Sequence, residues 1–301
     1  MYRFPEPSPH FVTIRNAVRR RVPSSVAVGL SGGPDSLALT AALVAEGVHV
    51  TALCVDHGLQ DGSREVSEEA ARIARSWGAD AEVIPINVAA SAATSTEAAA
   101  RRARYRAFAE WGGHVCVAHT MDDLAETFLI AGLRGMTAGM QETAEIEGAQ
   151  IIRPLLAVRR ADTVATCAEI GVTPWSDPQN DDPAFTRVRV RHEILPLLGE
   201  IVGGDAVPAL AQAARRTQAE ATRMTATTVP LATKDLPEAT RHDIIAGALR
   251  AAGAKVSKPH VEGVDKLLTQ WHGQGPRDVG GGLVALRVSD AIKIEEKKSN
   301  E

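Results

Sequence analysis

The sequence predicts an α/β fold, in which helices cover both faces of a parallel sheet, followed by a helical connector and a small α+β domain. Short runs rich in β-branched residues alternate with longer runs whose apolar residues recur at helical spacing, which is the pattern of βαβ units. The alternation begins near Val26 and stops beyond Gly203. A chain of 301 residues is long enough for one large domain with smaller appendages.

The elements of the sheet region are predicted in a regular order. Strands are expected where apolar runs end at polar residues, at 26–30, 48–55, 81–86 and 114–119, with a further strand near Gln150. Helices are expected between them at 37–46, 63–77 and 96–111. The prolines and the acidic-amide cluster of 169–182 predict a loop.

The region beyond Gly203 predicts mainly helices. One Ala-rich helix is expected over 206–228, a linker over 230–237, helices over 240–252 and 259–271, and a small hairpin region at the end. We therefore predict a catalytic domain over 1–203, a helical connector over 204–233 and a small domain over 234–301.

Composition excludes several classes of protein. The hydrophobic share of 45% and the charged share of 23% are close to those of globular proteins, which argues against a disordered or fibrous chain. No run approaches the ~20 apolar residues of a membrane span, and the N-terminus lacks an apolar signal core, so we expect a cytoplasmic protein without a membrane partner. Cys54, Cys116 and Cys167 form no C-x-x-C pair, which indicates neither a disulfide framework nor a Cys-rich metal site.

Charge permits a nucleic-acid partner without demonstrating one. The net charge is −4, but residues 10–22 carry four arginines and no acid, and 97–106 carry four arginines against one glutamate. Such runs contact phosphates in nucleic-acid-binding proteins, although a solvated helix face explains each run equally well.

The strongest chemical signal is SGGPDS, Ser31 to Ser36, between the first strand and the following helix. Gly32 and Gly33 allow a tight turn that brings backbone N–H groups to an anion, and the helix N-terminus favours negative charge at the same place. The two serine hydroxyls add donors. The pattern therefore predicts a pyrophosphate cradle.

Asp35 is an acid inside this anion-binding loop. We interpret it as a contact to Mg²⁺, because a metal ion between the carboxylate and the phosphates removes the repulsion. The alternative is an ordinary Gly-Pro-Asp turn in which Asp35 complements the helix dipole.

A second signal is HTMDDLAETF, His119 to Phe128, where a strand ends and a helix begins. The spacing of Asp122, Asp123 and Glu126 places their carboxylates on one side of a helix, at the carboxyl edge of the sheet. Such a group suits an ammonium ion and Mg²⁺. A helix start capped by Thr120 is the alternative, and both interpretations are compatible.

These motifs resemble a known family. SGGPDS resembles the PP-loop of the N-type ATP pyrophosphatases, and HTMDDLAET resembles the H-x-x-D-D-x-x-E-T motif of their lysidine synthetase branch. Further segments match that branch in order between Val26 and Pro196: VDHGL at 55–59, EAAARRARY at 97–105, RPLL at 153–156, WSDPQND at 175–181 and FTRVRVRHEILPLL at 185–198.

The resemblance implies a Rossmann-like PP-loop ATPase fold and a ligase that forms carbon–nitrogen bonds. In that family, ATP adenylylates the wobble cytidine in the CAU anticodon of tRNA(Ile). The side-chain amine of free lysine then displaces AMP, which gives lysidine. Lysidine changes decoding from AUG to AUA and charging from Met to Ile. The implied cofactors are ATP and Mg²⁺, and the small C-terminal domain would grip the tRNA.

The resemblance also implies roles for individual residues. The ATP-binding set is Ser31, Gly32, Gly33, Pro34, Asp35, Ser36, His57 and His119, with Asp35 as the metal ligand. The catalytic set is Asp35, Asp123, Glu126, Arg104 and Arg191. Asp123 and Glu126 would hold the lysine, and Arg101 and Arg187 would contact substrate.

Two departures from the family pattern keep alternatives open. Val188 stands where the family usually has Asn, and RGMTAGM at 134–140 is shorter than the usual Gly-Ser-rich loop. The alternatives are a PP-loop tRNA thiolase, which needs sulfur-carrying cysteines, and a catalytically impaired protein that binds RNA or nucleotide. Dimerisation is common in the resembled family, which leaves a homodimer open.

Overall fold

The computed structural model describes residues 4, 8–19, 21–58, 62–86, 96–134, 139–225, 227–254 and 256–297, without the side chains of 96–98 and 219–225. The chain divides into two compact units, Met1–Arg215 and Arg216–Glu301. The predicted bounds at 203 and 233 stay a prediction.

The first unit contains one six-stranded sheet. Its strands are β1 Ser25–Gly29, β2 His49–Asp56, β3 Asp80–Pro85, β4 His114–Cys116, β5 Thr143–Ile146 and β6 Ala149–Ile152. Their order across the sheet is β3-β2-β1-β4-β6-β5. Neighbouring strands are parallel except for β5, which pairs with β6 in an antiparallel hairpin. The prediction of a parallel-dominated α/β sheet is confirmed.

Helices connect these strands and continue beyond them. They are α1 Pro9–Val18, α2 Pro34–Ala45, α3 Ser63–Trp77, α4 Thr96–Trp111, α5 Met121–Gly132, α6 Arg160–Glu169, α7 Thr186–Arg189, α8 Leu195–Val202 and α9 Val207–Thr225. A 3-10 turn covers Pro178–Asp181, and a π-helical turn at Val190–Ile194 joins α7 to α8.

Two apolar layers lie on opposite faces of the sheet. Val26 and Val28 of β1 belong to the larger cluster, which includes buried residues of α1, α2, α3 and α6. Ala27 belongs to the other cluster, together with Tyr105 and Phe108 of α4. The alternation along β1 follows from the period of two in a strand, and it buries the central strand on both faces.

Several predicted bounds differ from the structure. The fourth strand is shorter than expected, because it ends at Cys116 and not at position 119. Helix α2 begins at Pro34, so Asp35 and Ser36 lie inside its first turn. Three elements of this unit were not predicted from the sequence, namely α1, β5 and α6.

The second unit has an antiparallel sheet and two helices. Its elements are β7 Thr228–Pro230, α10 Glu238–Ala251, α11 Lys258–Thr269, β8 Arg277–Gly280, β9 Leu283–Arg287 and β10 Ala291–Glu296, and the strand order is β7-β10-β9-β8. The predicted linker over 230–237 was wrong, because β7 and a 3-10 turn at Leu231–Asp235 occupy most of it. Val229 and Ile292 face each other in paired strands and join the core of this unit.

No single helix in the described ranges is long and apolar enough to span a membrane. One pair of helical segments, Thr186–Val202 and Val207–Gln218, passes the length and composition test only when taken together, and the pair is bent by 102°.

Gly29 ends β1 at a point where α4 approaches the sheet closely. A Cβ at this position would lie 2.7 Å from Cζ of Phe108, which is itself buried. We expect Gly29→Ala to lower the free energy of unfolding by about 1–3 kcal/mol through overpacking. Urea titration measures this change. Gly132→Ala is the matched control, because a Cβ there meets nothing within 4 Å; equal stabilities of the two variants would contradict the prediction.

Candidate active site

The predicted site residues lie at the carboxyl ends of the parallel strands. The 31–36 loop follows β1, His57 follows β2, and His119 lies between β4 and α5. Ligands of open α/β sheets bind at this edge, where the strand order reverses on the two sides of the first strand. The topology therefore brings together segments that are far apart in sequence.

The 31–36 loop is ordered by its own hydrogen bonds. Ser36 Oγ accepts from the Ser31 N–H at 3.2 Å and donates to the Gly33 carbonyl at 3.0 Å. Gly32 has φ +82°, and its carbonyl accepts from the N–H of Trp175 at 2.9 Å. The loop thus depends on a left-handed glycine and is tied to the 169–182 segment.

The loop also has free donors for an anion. The first intrahelical bond of α2 that the structure records runs from Leu37 N–H to the Gly33 carbonyl at 3.1 Å. The amides before it have no partner within the helix, and they carry the positive end of the helix dipole. This arrangement is suited to a phosphate group.

The carboxylate of Asp35 contacts two residues of α6. Its Oδ1 accepts a hydrogen bond from the hydroxyl of Thr163, and its Oδ2 lies 3.6 Å from Nε of Arg160. Burial raises the pKa of Asp35 to about 6, against the lowering effect of Arg160 and of the Thr163 bond. A cation at this carboxylate would offset the cost of burying its charge.

Asp123 combines helix capping with an ion pair. Its Oδ2 accepts from both the N–H and the hydroxyl of Thr120, each at 2.8 Å, which forms a capping box at the start of α5. Its Oδ1 accepts from Nη2 of Arg160 at 2.7 Å. Burial by itself raises the pKa of Asp123, but Arg160 and His119 lower it below its usual value.

Asp122 is occupied by the neighbouring arginine. Arg159 donates to its two carboxylate oxygens at 3.0 and 3.1 Å, and the backbone N–H of Arg160 donates to Oδ2 at 2.8 Å. Burial raises the pKa of Asp122, but these bonds hold it below its usual value.

Glu126 is completely buried and meets three arginines. Oε1 accepts from Arg160 at 2.8 Å and from Arg191 at 2.8 Å, and Oε2 lies 3.3 Å from Nε of Arg187. Arg187 also donates to the hydroxyl of Thr127 at 2.7 Å. A buried carboxylate requires such pairing, since an unpaired buried charge is strongly destabilising.

Arg160 is the residue that sequence reasoning missed. It connects Asp35, Asp123 and Glu126, and its own pKa is raised by these carboxylates although burial lowers it. The available signal was the basic pair 159–160 shortly after the RPLL match, in a stretch whose apolar spacing is too irregular to indicate a helix.

A second group of side chains is cationic. Nε of Arg153 donates to Nδ1 of His119 at 3.2 Å, which places the histidine proton on Nε2. Arg101 and Arg104 lie over the ring of Tyr105, at 5.0 and 5.8 Å from its centroid. No carboxylate in the described ranges pairs with either of these two arginines, so the group is suited to an anion.

The histidines of this group are neutral at pH 7. Burial and, to a lesser extent, the charge of Arg104 lower the pKa of His57 to about 4, against the raising effect of Asp56. Burial likewise lowers the pKa of His119 to about 3. His57 Nδ1 is buried without a hydrogen-bond partner among the described atoms. A neutral imidazole with an unused nitrogen can bind a ligand donor or metal-bound water without adding charge.

Not all predicted site residues come together in the same way. Asp35, Asp123, Glu126, Arg187 and Arg191 form one ion-paired group. Arg101 and Arg104 lie over Tyr105, and Arg104 lies close enough to His57 to lower its pKa. His119 accepts from Arg153 and is also close enough to Asp123 to lower its pKa. Val188 is buried, and residues 135–138 of the short loop lie outside the described residues.

Magnesium is compatible with Asp35. No group of three or more His, Cys, Asp or Glu side chains in the described part of the chain is arranged to hold a metal ion. Mg²⁺ that bridges phosphates needs only one or two protein carboxylates, since phosphate oxygens and water complete its octahedron. Asp35 Oδ2, whose contact to Arg160 at 3.6 Å is longer than a hydrogen bond, fits that requirement.

The first basic run is largely paired within the protein. Arg15 and Arg19 each contact the carboxylate of Glu46 at 2.8 Å, and Arg21 lies 3.5 Å from Glu142. The two contacts to Glu46 connect the α1 region to the end of α2. The run therefore offers less free positive charge than its composition indicates.

The three cysteines are buried and protonated. Burial raises the pKa of Cys54, Cys116 and Cys167 to about 12. The thiolate is the reactive form of cysteine, so none of these groups is prepared to carry sulfur or to bind a cluster.

The lowered pKa of His57 predicts a pH effect on stability. Below its usual pKa of 6.5 the unfolded chain binds a proton at this position, whereas the folded chain binds it only near pH 4. The free energy of unfolding therefore falls as the pH drops from 6.5 towards 4. We expect His57→Gln to make the decrease between pH 7 and pH 5 smaller by about 1 kcal/mol, as measured by urea unfolding.

Other groups that titrate in this range are present in both proteins. Asp35 acts with the opposite sign, since its raised pKa lets the folded chain bind a proton first, and His119 acts with the same sign. Asp56 on β2 and Arg104 on α4 are the charged groups that face His57. Identical pH slopes in the two proteins would contradict the prediction.

Comparison with known proteins agrees with this geometry. A family model described as a PP-loop domain matches residues 9–198. A solved U34-tRNA thiolase from Methanococcus maripaludis, with its 4Fe-4S cluster, aligns with a TM-score of 0.56 and 15% identity over 69% of this chain and 78% of its own. An identity this low shows a shared fold only.

Curated relatives match over nearly the whole chain. A tRNA(Ile)-lysidine synthase of Corynebacterium glutamicum is 46% identical and covers 97% of each chain, and that of Corynebacterium efficiens is 48% identical and covers 96% of each. The Mycobacterium tuberculosis enzyme of the same name is 43% identical over 87% of this chain and 86% of its own. The chain therefore belongs to the tRNA(Ile)-lysidine synthase family of PP-loop proteins.

Proposed function

We propose that the chain uses ATP to join free L-lysine to the wobble cytidine in the CAU anticodon of tRNA(Ile), which yields lysidine, AMP and pyrophosphate. The observation that carries the proposal is the position of Arg160 between the acid of the ATP loop and the acids of α5. Because one side chain contacts all three carboxylates, activation by ATP and attack by the amine take place within one small volume. Both half-reactions require this, since the activated base must not reach water between them.

The 31–36 loop binds the ATP phosphates in this proposal. Its free amides and the α2 N-terminus neutralise the pyrophosphate that leaves when the cytidine carbonyl oxygen attacks the α-phosphate. Asp35 would hold Mg²⁺, which supplies Lewis-acid stabilisation of the phosphate charge when bound. His57 and His119 lie at the same sheet edge and contribute neutral donors to the nucleotide.

The carboxylates of α5 receive the lysine side chain. Asp123 presents Oδ1 as its one oxygen that is not used by the helix cap, and this oxygen accepts from a cation at 2.7 Å. An ammonium group bound there passes one proton to the Asp123 carboxylate, and the neutral amine then attacks the activated ring carbon while the carbon–oxygen bond to AMP breaks. Glu126 shares in this binding, and an incoming ammonium must take the place of one of its guanidinium partners.

The arginines stabilise negative charge. Glu126 fixes Arg187 and Arg191 with ion pairs at 3.3 and 2.8 Å, and Arg191 in this position is suited to the charge that develops on the α-phosphate. Arg104 and Arg101 lie over Tyr105 without a carboxylate partner in the described ranges, which suits a phosphate of the tRNA or of ATP.

The tRNA is the macromolecular partner in this proposal. We assign tRNA binding to the C-terminal part of the chain. The predicted domain bounds remain 1–203, 204–233 and 234–301. We also keep a homodimer as a prediction, which sedimentation of the purified protein tests.

The buried thiols weigh against the thiolase alternative, which needs an accessible sulfur carrier or cluster ligand. The binding-protein alternative gives the buried acids Asp123 and Glu126 no role in ligand binding, because the binding of an anion gains nothing from additional carboxylates.

Incorporation of labelled lysine tests the proposed function. Purified protein is incubated with Mg²⁺-ATP, radiolabelled lysine and an unmodified tRNA(Ile) transcript with a CAU anticodon, and the label in the RNA is counted. We expect label that depends on ATP and on the wobble cytidine, with a uridine-substituted transcript as the control. Pyrophosphate release without label in the RNA would indicate another nucleophile. Neither label nor pyrophosphate release would favour a binding protein.

The role of Glu126 is tested separately. We expect Glu126→Ala to abolish lysine incorporation while tRNA-dependent pyrophosphate release is retained in part, because the phosphate loop does not contact this residue. Glu193→Gln, which removes an exposed acid paired with Arg189, is the matched control and should change neither rate. Equal loss of both activities would instead assign Glu126 to the orientation of Arg187 and Arg191.

A further inference from the structure

The first turn of α6 contacts every acid of the site. Arg159 pairs with Asp122, Arg160 pairs with Asp35, Asp123 and Glu126, and Thr163 donates to Asp35. Within the described ranges, Arg160 is the one cationic side chain that forms an ion pair with Asp35 and with Asp123. Glu126, in contrast, also pairs with Arg187 and Arg191, so it does not depend on Arg160 alone.

Arg160 therefore donates to Asp123 Oδ1 and lies 3.6 Å from Asp35 Oδ2, the two oxygens at which the proposed function places the lysine ammonium and Mg²⁺. Asp35 is the proposed contact for Mg²⁺, and Asp123 Oδ1 is the proposed contact for the lysine ammonium. A guanidinium and a second cation cannot share these oxygens at contact distance without strong repulsion in a partly buried site. Each cation must compete with Arg160 for its carboxylate.

The backbone of Arg160 is held by hydrogen bonds, so a cation that competes for the carboxylates would displace its side chain and not its backbone. The backbone N–H of Arg160 donates to Asp122 at 2.8 Å, and its carbonyl accepts from the Thr163 hydroxyl at 2.7 Å. The guanidinium is only partly enclosed, with 19% of the side chain exposed. ATP phosphates are an alternative partner for it, because a guanidinium binds phosphate in a two-point geometry.

We propose that Arg160 is a positioning residue, an internal counter-ion that holds Asp35 and Asp123 in the empty site and releases them when nucleotide arrives. It would make the binding of Mg²⁺ depend on ATP, because the guanidinium of Arg160 leaves the carboxylates only when phosphates accept it. This inference rests on the proposed function and deepens it by setting the order in which the ligands bind.

The test compares the affinity for Mg²⁺ without nucleotide in two variants. Arg160→Gln removes the counter-ion, and Arg159→Gln is the matched control because it removes the adjacent arginine, whose partners are Asp122 and Asp205. Isothermal titration and thermal unfolding with MgCl₂ measure binding, with NaCl of equal ionic strength to account for screening.

We expect Mg²⁺ alone to bind Arg160→Gln at least about tenfold more tightly than the unmodified chain, with a matching rise in Tm. Arg159→Gln should bind Mg²⁺ as the unmodified chain does. Adding a non-hydrolysable ATP analogue should strengthen Mg²⁺ binding to the unmodified chain much more than to Arg160→Gln. A merely structural role for Arg160 would lower stability without any gain in metal affinity.

Equal Mg²⁺ affinity of the unmodified chain and Arg160→Gln, or an equal gain in Arg159→Gln, would overturn the proposal. If Arg160→Gln does not fold, Arg160→Lys takes its place, since a single ammonium cannot span three carboxylates and should give a smaller gain in the same direction; no gain in that variant would again overturn it. The measurement uses neither lysine nor tRNA, so its failure is distinct from a failure of lysine incorporation.

Discussion

The structure of the site depends on one constraint, which is that several carboxylates are buried together at one edge of the sheet. Burial of an ionised carboxylate is costly unless a cation and hydrogen bonds compensate it. Asp122, Asp123 and Glu126 on α5 and Asp35 on α2 all obtain this compensation from arginines on α6 and on the 186–194 segment. Elements that are remote in sequence must therefore pack at the same place.

This constraint also separates two regions of opposite chemistry. On the side of α5, acids and arginines alternate and their charges cancel. Around Tyr105, Arg101 and Arg104 have no carboxylate partner in the described ranges, which leaves a net positive region. The anionic part of a ligand would match this region, whereas a cationic part would reach the acids of α5 only by exchange with an arginine.

Local patterns account for what was predictable. SGGPDS and HTMDDLAET carry their own turn and cap signals, so the turn between β1 and α2 and a helix start capped by Thr120 could be predicted from sequence spacing. Arg160 could not, because its partners Glu126 and Asp123 lie 34 and 37 positions away and only the folded sheet brings them near. Strand β5 was missed because four residues are too few to establish an alternation, and it forms through pairing with β6.

The capping box limits how position 123 can evolve. One oxygen of Asp123 stabilises the start of α5 and the other accepts from Arg160, so a single carboxylate combines helix capping with the ligand contact that the proposed function assigns to it. Any substitution that adapts this position to a different substrate also removes a helix cap, which costs roughly 1 kcal/mol. A change of specificity at this position would therefore require compensating, stabilising changes elsewhere in the chain.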